Sequence, residues 1–199
     1  MPMDWSIILS SCIVAGTTIL SIFIKELVQA KKSKQHACVA KYTKQNENVQ
    51  KALDYVLNEI GVDRAYIYEF HNGDHFYSGN HQQKFSCTYE SLNSGVSSES
   101  MRLQNLRVST FNSFIKDVLG LHGEKSFQLG DIEQIDNPLL RNWLEERGIR
   151  SSYAFPIETL NHGVVGILSI DFTKQKTKLT KENKALILNQ SKIISGYLI

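Results

Sequence analysis

The chain has 199 residues, of which 42% are apolar and 21% charged, with only 3 prolines and a formal net charge of +2. This length suits one medium-sized domain with a short appendage, and the composition argues against disorder. The positive excess is local: seven lysines face only Glu26 and Glu47 between Lys25 and Lys51, whereas acids slightly outnumber bases from Ala52 onward. That distribution gives no basis for nucleic-acid binding and points instead to an anionic membrane surface.

Between Asp4 and Lys25 lies WSIILSSCIVAGTTILSIFI, twenty residues without a charge. As a helix this segment is about 30 Å long, the hydrocarbon thickness of a bilayer. Trp5 falls where an interfacial aromatic belt lies. A cleaved signal peptide needs a positive leader and a shorter apolar stretch, and Met1–Asp4 carries no Lys or Arg. Residues 1–24 are therefore read as a single transmembrane anchor. Lys25, Lys31, Lys32 and Lys34 follow it, so the positive-inside tendency places the N-terminus outside and the rest in the cytoplasm, at the cell membrane. Cys12, Cys38 and Cys87 are scattered without a C-x-x-C spacing, which suits a reducing compartment.

Residues 25–44 form a basic linker without Pro or Gly. Val49, Leu53, Val56 and Ile60 then recur at helical spacing, and Gly61 supplies a stop. Two readings are open: a polar linker before one amphipathic helix that packs on its own domain, or a continuous helix that pairs with a second copy. After Gly61 the period changes. Strands are expected at 64–71 and 84–92, and one or two helices at 97–119, with Phe111, Phe114, Ile115 and Val118 on one face. A short strand is expected at 127–129. A helix follows in which Asn137 caps, Pro138 opens and Gly148 ends, burying Leu140, Trp143 and Leu144. Two more strands, 151–157 and 163–172, flank a turn at 161–163. Thr180 opens a last helix whose apolar side is Leu186, Ile193, Ile194, Tyr197 and Leu198. The lysine-rich stretch before and into it reads as a solvated loop and helix start. No internal repeat is present. The plan is α+β: an antiparallel sheet flanked by helices, preceded by one transmembrane helix and a helical connector.

The string RGIRSSYAFPIETLNHGVVGILSIDF (147–172), followed by a polar loop and a last helix, resembles the second half of a GAF domain, where a "gv.S.l.vPi" strand turns into a "g.v.GvLsl.f" strand. RAYIYEFHNG (64–73) after an amphipathic helix is similar to its first strand. The resemblance covers roughly residues 45–199. It implies a sensory or scaffolding module, similar to PAS domains, that holds a small ligand between sheet and helices and dimerises through its first and last helices. It implies no particular ligand. The N-K…F…D-E signature of cyclic-nucleotide-binding members is missing. Cys87 is followed by Thr88 rather than the His usual at bilin attachment, and only Cys87 lies in the domain, which leaves the methionine-sulfoxide-reducing type without its cooperating cysteines.

Strand alternation puts Tyr66, Tyr68 and Phe70 on one face of the first strand and Ala65, Ile67, Glu69 and His71 on the other. Tyr68, Glu69, His71, Tyr89, Tyr153, Ser169 and Asp171 are the candidate ligand-binding residues, with Glu69 and Asp171 requiring a donor if buried. Tyr153, His71 and Arg150 are the nearest donors in chain order. The alternative for His71 is a satisfied strand-end residue beside an Asn72-Gly73 turn. His71, Asp74, His75 and His81 are not read as a metal site, because the His-x-x-x-His pair straddles Asn-Gly, which breaks the helix that would align it. The chain carries no G-x-S-x-G, Walker loop, H-E-x-x-H or G-x-G-x-x-G. The residues name no cofactor. A non-catalytic module is expected, anchored in the membrane as a homodimer and binding a small molecule or a protein partner. The rivals are a scaffold whose pocket is filled by its own side chains, and a small hydrolase or redox enzyme using His71, Glu69 or Cys87.

Overall fold

The computed structural model describes residues 5–75, 81–161 and 163–198. The chain divides into two compact units, Met1–Gln45 and Asn46–Ile199. Helix α1 (Trp5–Ile60) contributes to both, so the basic linker is helical. In the first unit Val39 and Tyr42 are exposed. Among the described residues no helix is long and apolar enough to cross a membrane; most side chains of the 5–24 anchor segment lie outside the described residues.

The second unit is built on six antiparallel strands: β1 (Arg64–His75), β2 (His81–Leu92), β3 (Leu106–Arg107), β4 (Phe127–Leu129), β5 (Ser151–Glu158) and β6 (Val164–Phe172), in the order β3-β2-β1-β6-β5-β4. Helices α2 (Asn112–Val118) and α3 (Pro138–Glu145) pack with the intervening loops on one face, here the inner face. The 46–60 part of α1 and helix α4 (Lys181–Leu198) cover the other. Period-2 alternation explains the division. Tyr66, Tyr68 and Ile167 enter the inner core, while Ala65, Ile67, Leu168 and Ile170 enter the outer one. Val49, Leu53 and Val56 are fully buried against the outer face, with Ile60 partly buried beside them.

A bulge refines the pattern. Ile67 pairs with Tyr89 and Tyr68 with Cys87, so Thr88 is the extra residue and Tyr89 turns outward while Cys87 turns inward. Gly166 lies across from this bulge on β6. A Cβ there would come within 2.5 Å of the Tyr68 carbonyl, so close backbone approach admits only glycine.

Helix ends follow local chemistry. The Asn137 side chain accepts the Leu140 amide at 3.1 Å, Pro138 opens α3, and Gly148 (φ +68°) ends that turn. Gly61 (φ +70°) ends α1, its amide and that of Val62 both donating to the Leu57 carbonyl. Asn183 donates its amide to the Thr180 hydroxyl at 3.1 Å.

Three expectations are corrected. The hairpin does not turn at Asn72-Gly73: both strands continue, to His75 and from His81, through a second irregularity of register. The 97–119 segment is helical only over Asn112–Val118. Tertiary hydrogen bonds capture its first part, because the Glu90 carboxylate accepts the amides of Glu99 (2.9 Å) and Ser100 (3.2 Å) and the Ser98 hydroxyl, and Asn105 adopts φ +56°. On α4 the buried positions are Ile187, Ser191, Ile194 and Ser195, and Ile193 is 40% exposed. Leu186, Tyr197 and Leu198 pack partly buried beside Ile194 as expected, while Ile193 faces outward and Ser195 donates to the Glu158 carbonyl at 2.6 Å.

Candidate functional site

The inner face has two parts. Its centre is an aromatic chain in which Tyr68 stacks edge-on with Tyr66 (5.1 Å between ring centres) and Phe85 (5.2 Å), Phe85 meets Phe111 (5.7 Å), and Phe111 meets Trp143 (4.8 Å). This stretch is filled by the chain's own side chains. The Tyr68 hydroxyl is buried there without a hydrogen-bond partner. An unpaired buried hydroxyl costs about 1–3 kcal/mol, so Tyr68→Phe is expected to leave the melting temperature unchanged or raise it. A drop of several degrees in a thermal melt would show that the hydroxyl is engaged.

The other part is polar and lies where β1 begins and β6 ends. Asp171 is fully buried and is the hub. It accepts the Tyr66 hydroxyl, the Arg147 guanidinium at 2.9 Å and the Ser152 hydroxyl at 2.7 Å, with Arg64 at 3.6 Å. Arg147 also donates to the Tyr66 oxygen at 2.6 Å and lies 4.0 Å over the Trp143 ring. Burial works against the Arg147 charge, but Tyr66, Tyr68 and Asp171 around it more than offset this and raise its pKa. Burial likewise pushes the Tyr66 hydroxyl up, keeping it protonated as a donor. Arg64 donates to the Ser97 carbonyl at 3.0 Å and faces Glu90 at 3.7 Å. Four guanidinium nitrogens (Nε and Nη1 of Arg64 and of Arg147) remain buried without a hydrogen-bond partner, as does Glu99 Oε2.

A groove of about 240 Å³ opens at this end, lined by Arg64, Ser97, Glu99, Glu146, Arg147 and Thr173 among others. A second, of about 260 Å³, lies on the surface beside Asp117, His122 and Phe127.

The sheet divides the seven residues expected at a ligand site. Tyr68, Ser169 and Asp171 are on the inner face, where Ser169 pairs with Tyr66 and Ala154. Glu69, His71, Tyr89 and Tyr153 are on the outer face. There His71 Nε2 lies 2.8 Å from Ser86 Oγ, the Tyr89 hydroxyl donates to Asn46 at 2.6 Å, and the Tyr153 hydroxyl donates to the Thr177 carbonyl at 2.7 Å. The seven cannot line one cavity. The donors expected for Asp171 are corrected too: Tyr153 and His71 are on the wrong face, and Arg150 is exposed. Tyr66, Arg147 and Ser152 take their place. Asp74, His75 and His81 have side chains outside the described residues, and among the described residues no cluster of His, Cys, Asp and Glu suits a metal.

Cys87 and His71 lie on opposite faces of the sheet, so they cannot act as a pair. Burial pushes the Cys87 thiol up to about 12, far from the thiolate that nucleophilic chemistry needs.

No protein-family model matches the sequence, and no curated protein matches it. Solved structures do match. The cyanobacteriochrome receptor PixJ is 13% identical with a TM-score of 0.62, over 79% of this chain and 97% of that one. The PixJ GAF domain of Thermosynechococcus elongatus is 12% identical with a TM-score of 0.63, over 80% of this chain and 87% of that one. The GAF domain/HD domain protein of Geobacter sulfurreducens is 15% identical with a TM-score of 0.55, over 76% and 89%. The domain has the GAF fold. Identity this low speaks for fold alone. Within this GAF fold the polar hub was hidden from sequence reasoning. Arg64 and Asp171 stand 107 positions apart and become neighbours only because β1 and β6, first and last in the sheet, pair at its centre. The one signal at hand was Arg147, three residues before the nominated Arg150: the Gly148 turn that ends α3 points it inward.

Proposed function

We propose that this chain is a membrane-anchored, cytoplasm-facing GAF module that works without catalysis as a signalling module, responding to a small ligand or a protein partner and relaying its state through a homodimeric helix. One observation carries the relay. Arg64, which touches the polar hub, is four residues from Ile60, where α1 ends, and the junction between them is bolted to β6. The Asp63 amide donates to the Asp171 carbonyl at 3.1 Å, while the Asp63 carboxylate accepts the amides of Thr173 (2.8 Å) and Lys174 (3.0 Å). Burial opposes the Asp63 charge, but these donors and the Lys174 ammonium outweigh it and hold its pKa below the usual carboxylate value. A shift at the hub therefore moves the end of α1 directly. The anchor rests on the uncharged 5–24 stretch and its lysine flank. Self-association is supported by exposed Tyr55, Leu188 and Ile193 on the two helices of the outer layer.

The scaffold is the second reading, favoured by the aromatic side chains that fill the centre of the inner face.

Membrane fractionation and cross-linking test the proposal. Full-length protein should stay in the pellet through alkaline carbonate extraction, and Cys38 should form a disulfide with its copy under mild oxidation. Release by carbonate would end the anchored reading, and a strictly monomeric state in detergent and in membranes would end the dimeric relay.

A further inference from the structure

We propose that the groove at the polar end of the inner face is a binding site for a small zwitterion, a molecule carrying a carboxylate and a protonated amine close together, such as a free α-amino acid. The inference deepens the signalling reading above and rests on it for its meaning, but not for its test.

The lining carries the chemistry. Arg64 is 1% exposed and Arg147 8%, and each keeps two nitrogens without a hydrogen-bond partner. Buried guanidinium N–H groups are costly to leave unpaired, and a carboxylate is the acceptor whose two oxygens match a guanidinium fork. Glu99, 7% exposed, lines the same groove and keeps a buried acceptor, Oε2, without a hydrogen-bond partner, and Glu146 lines it as an exposed residue. Arg102, the cation facing Glu99, is on the surface 3.8 Å away, where solvent weakens the pair. Both arginines are ion-paired with Asp171 and Glu99 with Arg102, yet four guanidinium nitrogens and one carboxylate oxygen of these groove-lining residues still lack a hydrogen-bond partner. A lone phosphate or carboxylate leaves Glu99 with only the exposed Arg102 and adds repulsion, since Asp171 and Glu90 already face the arginines. A lone amine leaves those guanidinium nitrogens without a partner. A zwitterion meets both needs, its carboxylate on Arg64 and Arg147 and its ammonium on Glu99. At about 240 Å³ the groove is below the common range of about 300–1,000 Å³ for drug-sized ligands, which suits a molecule of amino-acid size.

Occupation would also be felt elsewhere. Arg147 lies on the Trp143 ring, so ligand contact at Arg147 changes the emission of that indole. Glu99 and Ser97 belong to the loop that the Glu90 carboxylate and Arg64 hold in place, so binding stiffens the loop and the start of β1 together.

The test uses the full chain in detergent micelles and a panel of the twenty free amino acids, with acetate, phosphate and methylammonium as controls. At least one amino acid should raise the melting temperature and change Trp143 fluorescence at millimolar concentration or below, and the three controls at equal concentration should do neither. Glu99→Gln, outside the Asp171 hub, should fold normally and bind at least about tenfold more weakly, the loss expected for one charge-assisted hydrogen bond. The proposal is overturned if no amino acid binds, or if acetate or phosphate binds as well as the amino acid with Glu99→Gln unaffected. Failure here with carbonate resistance and Cys38 cross-linking intact removes the ligand class and keeps the anchored signalling module. Amino-acid binding by a carbonate-soluble monomer does the reverse.

Discussion

Asp171→Ala is expected to destabilise the domain by about 3–5 kcal/mol, because it strands two buried arginine charges without their shared carboxylate. The loss is large for geometric reasons. Asp171 is fully buried and serves Tyr66, Arg147 and Ser152 directly, with Arg64 close by. Water cannot replace it, and neither guanidinium can shed its proton at any accessible pH. Urea denaturation followed by Trp143 fluorescence measures the loss. A change below about 1 kcal/mol, the range of exposed ion pairs, would mean the hub is solvated. The buried network is weak evidence for net stability compared with an apolar core of equal volume. Its cost is therefore consistent with a retained polar role at this end of the sheet.

Phe85→Ala is expected to cost a similar amount, about 3–5 kcal/mol. Phe85 is fully buried on β2 and touches Tyr68 and Phe111 edge-on and Phe70 at 6.2 Å. Removing the ring opens a cavity walled by aromatic groups that are themselves held by other rings: Tyr68 by Tyr66, Phe111 by Trp143. Such walls relax little, so the transfer and cavity contributions both appear. The same denaturation measurement reports it. A loss near 1 kcal/mol would show that the inner face is loosely packed and able to admit a ligand at its centre, contrary to a centre filled by the chain's own side chains.

The two variants probe different halves of one face, and the halves differ in how far the sequence foretold them. Elements governed by neighbours in the chain were legible. The 3.6-residue stripe of Val49, Leu53, Val56 and Ile60 and the stop at Gly61 required nothing beyond local contacts. The same holds for the Asn137–Pro138 start of α3 and the alternation that put Tyr66, Tyr68 and Phe70 on one side and Ala65 and Ile67 on the other. The GAF-like resemblance came from the same kind of pattern, the β5–β6 hairpin and its flanks. The 97–111 segment was not legible, because its amides bond to Glu90, nearly ten residues away on β2, and no local propensity competes with a buried carboxylate. On α4 the apolar side was legible through Leu186, Ile194, Tyr197 and Leu198, but Ser195 was not, because it satisfies the Glu158 carbonyl across a sequence gap of 37.

The sequence by itself determined the order and kind of the main elements, though not β3, together with the lysine-flanked apolar start and the need for a partner at Asp171 if buried. Those follow from composition, periodicity and the cost of an isolated buried charge. Only the tertiary structure decided which groups answer that need. β1 and β6 pair centrally, so Arg64 and Tyr66 reach Asp171 from more than a hundred residues away. The bulge at Thr88 sends Cys87 inward and Tyr89 outward, and the turn at Gly148 delivers Arg147 rather than Arg150. A shift of one residue at any of these points reverses which side chain faces the hub, because side chains alternate along a strand and no local rule sets the register between distant strands.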